Sequence, residues 1–322
     1  MTEAAGALET AGRRRDVSIF TVRLLPPYMI TLASDFGTPY PAAMKGVLCR
    51  RTDARLVDVA HDFPRQDVRA AAFWLREVLP YFPPAVHLVV IDPGVGTDRN
   101  AIVVRAGEHA LVGPDNGVLL PAARRLAGSR DAALETYVVD ETRLDPTEPA
   151  GGPVGPSATA LSADSDAGEN GGGREGPASA TFHGRDVFAP AAADVHEAGV
   201  DAPADLEWLD PLDGDPVDCS LPEPTLEDDR ATGEVLVIDD FGNAVTNVPG
   251  DVLAGCDRIV ANGEPVPVGE TFAAVPVGER LATVGSHGYV ELDVNRGRGD
   301  EAFDLAVGDR VVLESAGTDR AN

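Results

Sequence analysis

Lysine is almost absent from this 322-residue chain: Lys45 stands alone, and arginine supplies the rest of the 26 basic residues. Against them stand 53 acids, for a net charge of −27. A field of that sign repels phosphate backbones and anionic headgroups, so neither nucleic acid nor a membrane surface is an expected partner. It suits a salt-rich cytoplasm, where counterions screen self-repulsion; a halophilic source is the expectation and an acidic protein of ordinary salt the alternative. Cysteine is scarce too. Cys49, Cys219 and Cys256 are far apart, odd in number and without a C-x-x-C pair, so no disulfide framework or zinc site is indicated and a reducing, cytoplasmic compartment is expected. No apolar run approaches the roughly 20 residues that span a bilayer. Several signatures are also missing: the G-x-S-x-G elbow of ordinary serine hydrolases, H-E-x-x-H, G-K-[ST], and a third glycine after Gly94-x-Gly96.

What is present is the composition of a globular chain, 43% hydrophobic, with two textures. Residues 1–28 carry Arg13-Arg14-Arg15 and no clean signal-peptide pattern, and read as an extension before the first good strand at Met29. From Met29 to residue 205 apolar strand-like runs (Met29–Ala33, Arg55–Ala60, Val86–Ile91) alternate with helical spacing at Val68, Ala71, Leu75, Val78 and Phe82, the signature of an α/β domain with a mostly parallel central sheet. Within it, Thr147–Ala178 is dominated by Pro, Gly, Ser, Ala and acids and reads as a mobile surface insertion. A Pro- and Asp-rich linker, 206–229, leads to residues 230–316, where short alternating strands and turn residues predict an all-β, barrel-like domain, followed by a tail at 317–322.

The stretch LVVIDPGVGTDR (88–99) raises the first chemical question. A continuous apolar run reads as a strand buried on both faces, and Asp92 sits at its carboxyl end, where open α/β sheets bind ligands. The glycines after it allow a sharp turn, and Arg99 is near enough to fold back on the acid. Other polar clusters fall in Gly-punctuated turns: Ser34-Asp35-Phe36-Gly37, Phe182-His183-Gly184, Asp239-Asp240-Phe241-Gly242-Asn243 and Ser286-His287-Gly288. Each taken singly reads equally as a turn, a helix cap or a structural histidine. His87, inside the apolar run, reads as a packing residue, and His61 as a second strand-end candidate.

Taken in order, TLASDFG, MKGVL, VDVAHDFP, YFPPAVHLVVIDPGVGTDR, VGPDNG, TFHGRDVFAPAAA, DDFGNAVTN and GSHGY resemble the motifs of one family. That family is the S-adenosyl-L-methionine hydroxide adenosyltransferases, relatives of the enzymes that use halide on the same substrate. The resemblance runs from about Ile30 to Leu313, broken by the insertion. It implies displacement of methionine from S-adenosyl-L-methionine by water or hydroxide at the ribose 5′ carbon, giving adenosine, with no cofactor. It places an Asp-Arg-His set on Asp92, Arg99 and His183. Asp35 then resembles the ribose-diol acid, Asp239 and Ser286 the positions that hold the methionine amine and carboxylate, and Asn243 one that meets adenine. A homotrimer with active sites between subunits is likewise implied.

Two rivals stand beside that reading. A halide-using enzyme of the same superfamily is not expected to keep Asp92-x6-Arg99 with His183. A nucleoside- or S-adenosyl-L-methionine-binding protein without turnover would bind and form no adenosine.

Overall fold

The computed structural model describes residues 29–128, 134–145 and 181–315. The expected extension, insertion and tail lie outside the described residues. The chain forms an α/β domain and an all-β barrel.

The α/β domain is built on seven strands: β1 (Met29–Ser34), β2 (Arg55–Ala60), β3 (Val86–Val90), β4 (Ala101–Ala106), β5 (His109–Pro114), β6 (Glu135–Val139) and β7 (Leu209–Pro211). Their order is β2-β1-β3-β5-β4-β6-β7. The pairs β2-β1, β1-β3 and β3-β5 are parallel, and the β4–β5 hairpin extends the sheet through antiparallel β6 and β7. Strand β3 shows why a buried strand reads as a continuous apolar run. Val86, Leu88 and Val90 enter one core with helices α1 (Tyr40–Arg51) and α4 (Ala189–Ala198). Val89 and Ile91 enter the other, with α2 (Val68–Val78) and α3 (Leu120–Leu126). Both faces are thus covered by helices, and the free end of β3 is the place left for a polar group. His87 is fully buried in this strand, bonded to Thr31 Oγ1 at 2.7 Å and to His109 Nδ1 at 3.0 Å, and burial pushes its pKa down to about 3. It is a packing residue.

The connector contributes a strand to each domain: β7 closes the edge of the first sheet, and β8 (Thr225–Leu226) pairs with the barrel. The barrel strands are β9 (Arg230–Ile238), β10 (Ala244–Pro249), β11 (Arg258–Ala261), β12 (Glu264–Pro267), β13 (Arg280–Val284), β14 (Tyr289–Val294) and β15 (Arg310–Ser315). They are antiparallel throughout in the order β12-β11-β15-β9-β10-β14-β13, and a bridge from Val268 to Ala282 brings the two edges together. A short helix, α5 (Gly299–Phe303), packs beside β14.

Helix α2 joins the domains. Asp67 caps it by accepting from Ala70 N at 2.9 Å, and the helix lays Phe73 against Leu236, Val237 and Val245 of the barrel. Arg69 pairs with Glu234, Arg76 donates to Tyr289 Oη at 2.5 Å, and the Trp74 ring lies 5.5 Å from that of His287. Phe73 is fully buried. Truncating a buried aromatic loses its transfer energy and leaves a cavity, so Phe73→Ala is expected to cost about 3–5 kcal/mol, read as a lower urea midpoint with loss of cooperativity between the domains.

Candidate active site

Asp92 emerges two residues beyond β3, and the turn behind it is shaped by glycine. Gly96 is left-handed at φ +79°, and a Cβ on Gly94 would lie 3.2 Å from Arg99 Cγ and 3.3 Å from Thr97 Oγ1. The chain can therefore return Arg99 onto the acid. Its Nε donates to Asp92 Oδ1 at 2.9 Å and its Nη2 to Oδ2 at 2.5 Å, a two-pronged pair whose side chains are 9% and 6% exposed. The same Nη2 reaches His183 Nδ1 at 2.9 Å, and the guanidinium lies 5.0 Å over the Phe188 ring. A guanidinium only donates, so Nδ1 of His183 accepts, and the neutral ring carries its proton on Nε2. His183 is delivered from the start of a π-helical turn, Gly184–Phe188, that runs directly into α4. A side chain on Gly184 would strike Met44 Sδ at 2.9 Å, so the glycine lets this turn seat against α1. Glu141 Oε1 lies 4.0 Å from the same Nδ1.

Asp35 follows β1 and is buried, with Oδ2 accepting from Gln66 N at 2.6 Å. Gln66 holds φ 60°, a left-handed conformation unusual outside glycine, which aims its N–H at that carboxylate. Asp35, Gln66, Asp92 and His183 line one cavity of about 340 Å³, together with Phe36 and Phe182, whose rings meet edge to face at 6.1 Å. Arg99 stands behind Asp92 and His183. His61 is committed elsewhere, bonded to Ser34 Oγ at 2.7 Å and Asp58 Oδ1 at 3.0 Å.

The other named residues gather around the barrel. Asp239, Asn243 and Ser286 line a second cavity of about 800 Å³, with the exposed Phe241 beside them. Asp239 organises its own turn: Oδ1 accepts from Phe241 N (3.0 Å) and Asn243 N (2.9 Å), and Oδ2 from Asn243 Nδ2 (3.0 Å). The two cavities share no lining residue, so one chain brings together Asp35, Asp92, Arg99 and His183, and separately Asp239, Asn243 and Ser286.

Sequence comparison matches residues 30–151 to the S-adenosyl-L-methionine hydroxide adenosyltransferase N-terminal domain and residues 233–312 to the C-terminal domain of the same family. The chain belongs to the S-adenosyl-L-methionine hydroxide adenosyltransferase family. It is 38% identical over 294 residues to the (R)-S-adenosyl-L-methionine hydrolase of Salinispora tropica, covering 89% of this chain and 98% of that protein. The enzyme of the same name from Thermus thermophilus is 38% identical over 279 residues, 85% of this chain and 95% of its own. Among solved structures, an uncharacterized conserved protein from Thermotoga maritima superposes with a TM-score of 0.66 at 29% identity, covering 88% of this chain and 99% of its own. A conserved hypothetical protein from Thermus thermophilus gives 0.62 at 35% identity over the same 88% and 99%.

Beside the hydroxide adenosyltransferase residues named from sequence, the barrel cavity holds two acids that sequence reasoning passed over. Glu291 lines it and Asp293 lies beneath, fully buried with both carboxyl oxygens unpartnered among the described residues. Burial, then Asp239, pushes Glu291 up to about 7; burial, then Glu291 and Asp239, pushes Asp293 up to about 8. In YVELDV the acids alternate with Val290, Leu292 and Val294, which reads as an ordinary strand with a wet face, and Arg296 and Arg298 close behind offer apparent partners, so the sequence carries no signal of the burial. Acids whose folded-state pKa is raised favour folding fully below their ordinary values near 4, and that contribution is lost as pH rises through about 8. Wild type is therefore expected to lose stability between pH 6 and 8.5. In urea titrations at the two pH values, Asp293→Asn should recover on the order of 1–3 kcal/mol of that loss.

Proposed function

We propose that this protein hydrolyses S-adenosyl-L-methionine to adenosine and L-methionine; its relatives are named hydrolases of (R)-S-adenosyl-L-methionine. The observation that carries the reading is the cavity-facing pair Asp92 and His183, locked to one another through Arg99. A sulfonium leaves readily, so the site needs an aligned nucleophile more than an acid for the leaving group. Water oxygen attacks the 5′ carbon, the C5′–S bond breaks, and its electron pair returns to sulfur as methionine. Because Arg99 occupies Nδ1 of His183, the ring presents N–H to the nucleophile, and the Asp92 carboxylate is the acceptor for the water proton before it passes to solvent. Arg99 is the positioning residue that fixes both. Asp35, which lines the same cavity, is the acid for the ribose hydroxyls, and no cofactor is called for.

The barrel residues complete the site from a neighbour in a homotrimer: Asp239 and Ser286 toward the amino-acid end, Asn243 toward adenine. What supports this is the division of the residues between two cavities within one chain. The acidic surface supports a salt-rich, cytoplasmic setting.

In ¹⁸O-labelled water at high potassium chloride, wild type is expected to give labelled adenosine; a chlorinated nucleoside would instead mark a halide-using enzyme, and bound but unchanged substrate a binding protein. Asp92→Asn is expected to lower kcat by about 10²–10⁴-fold. A second measurement addresses assembly. Asp92→Asn and Asn243→Ala, each inactive alone, should regain roughly a quarter of wild-type activity when mixed and reassembled, because one site in four then pairs two intact halves. No recovery would place the whole site within one chain.

A further inference from the structure

Asp239, the acid that the sequence points to for an amine, already accepts three hydrogen bonds from its own turn. The neighbouring Glu291 accepts none among the described residues, although it is 8% exposed and lines the same cavity. Its position is fixed by the backbone opposite. A Cβ on Gly285 would fall 1.8 Å from Glu291 Oε1, so the carboxyl lies directly across Gly285, beside Ser286, in space that glycine alone leaves open. Asp293, two residues on and on the same strand face, is fully buried with both oxygens unpartnered. Buried carboxyl oxygens without donors are rare and call for an explanation, such as a ligand that supplies them.

The charged groups around this cavity do not supply it. Asp240, Glu270 and Asp239 add negative charge, Arg298 is held by Asp300 at 2.7 Å and Glu301 at 3.4 Å, and Arg296 and His287 line the cavity without a contact to Glu291. Thr283 and Val245 are the register neighbours of Glu291 on β13 and β10, and neither carries charge.

We propose that Glu291, backed by Asp293, is the counter-charge for an ammonium group entering the barrel cavity, and that its arrival expels a proton from the two carboxyls to solvent. The inference rests on the reading of this cavity as the amino-acid end of the substrate site. It adds a specificity: the amine is read by two carboxyls that share a proton when the cavity is empty and release it when it is filled. An empty site of two ionised carboxylates would repel itself; sharing a proton removes that repulsion until a cation replaces it. The N–H groups of the ammonium then donate to Glu291 as a charge-assisted pair.

The test uses the full chain and S-adenosyl-L-homocysteine, which keeps the amino acid and nucleoside but lacks the sulfonium, against its analogue without the amino group. Calorimetric titration at pH 7 in two buffers of different ionisation heat reads protons released per molecule bound. Wild type is expected to release a proton fraction with the amino-bearing probe and none with the analogue, and to prefer the former by tenfold or more. Glu291→Gln, an isostere of the neutral carboxyl, should lose both the release and the preference. Should that variant fold poorly, wild-type affinity alone decides: it should rise from pH 6 to 8 for the amino-bearing probe and stay level for the analogue. Equal preference in wild type and Glu291→Gln, no proton release, or no binding of the probe overturns the inference. Absence of adenosine from S-adenosyl-L-methionine is a separate result, and overturns the hydrolase reading instead.

Discussion

Two opposite charges brought almost out of water, Asp92 and Arg99, set the terms for the α/β site. Ions this poorly hydrated are tolerable only when geometry is close to ideal, and removing one partner of such a pair typically costs about 3–5 kcal/mol because the other is stranded. Each neighbouring feature serves that geometry. Strand β3 delivers the carboxylate at a sheet end, Gly94 and Gly96 let seven residues of chain fold back, and Phe188 supplies a flat face for the guanidinium. Once Arg99 is held by both carboxylate oxygens, its remaining Nη2 direction meets His183, so the imidazole's tautomer follows from the ion pair. The chemistry assigned to the site is thus a consequence of how one ion pair is buried.

The interdomain contact carries a second consequence. Helix α2 uses one side for the α/β core, through Ala71 and Leu75, and another for the barrel, through Phe73. It also places Trp74 in the wall of the barrel cavity. With Arg69–Glu234 and Arg76–Tyr289 flanking that contact, the two domains of one chain are held in register by apolar packing, an ion pair and a hydrogen bond together. Within one chain the two cavities stand apart on either side of this contact and share no lining residue.

Legibility in the sequence follows from how local each feature is. Strand β3 and helix α2 are readable because continuous burial and helical spacing leave local patterns, and Gly199, left-handed at φ 90°, ends α4 as its position suggests. Helix α1 is not, since Pro41, Met44, Val47 and Leu48 are its only buried positions in YPAAMKGVLCRR and its other residues do not sort by face. Strands β7 and β8 are too short to show a period and exist because an adjacent sheet edge accepts them. Asp92 was marked by its strand, whereas its link to His183 spans 84 positions between Arg99 and the imidazole, and only the ordered set of motifs joined them. The Gln66 contact to Asp35 left no trace at all, because a left-handed glutamine is a tertiary choice.

The two cavities bury carboxyls by opposite means. Asp92 is satisfied in advance by an arginine from its own loop, which donates to both of its oxygens. Among the described residues Glu291 and Asp293 are left without a cation, and the nearby Arg298 is committed to Asp300 and Glu301. Packing alone does not demand this: the backbone at the start of α5 lies close to this strand, a Cβ on Gly299 falling 2.0 Å from Leu292 O and 3.0 Å from Asp293 Cα, and apolar side chains would fill such a place at less electrostatic cost. A buried acid kept unpaired has lower stability to show for it and gains only if something outside the chain completes it. The α/β cavity therefore holds an acid paired within the chain, while beside the barrel cavity the chain leaves its acids without a cation among the described residues.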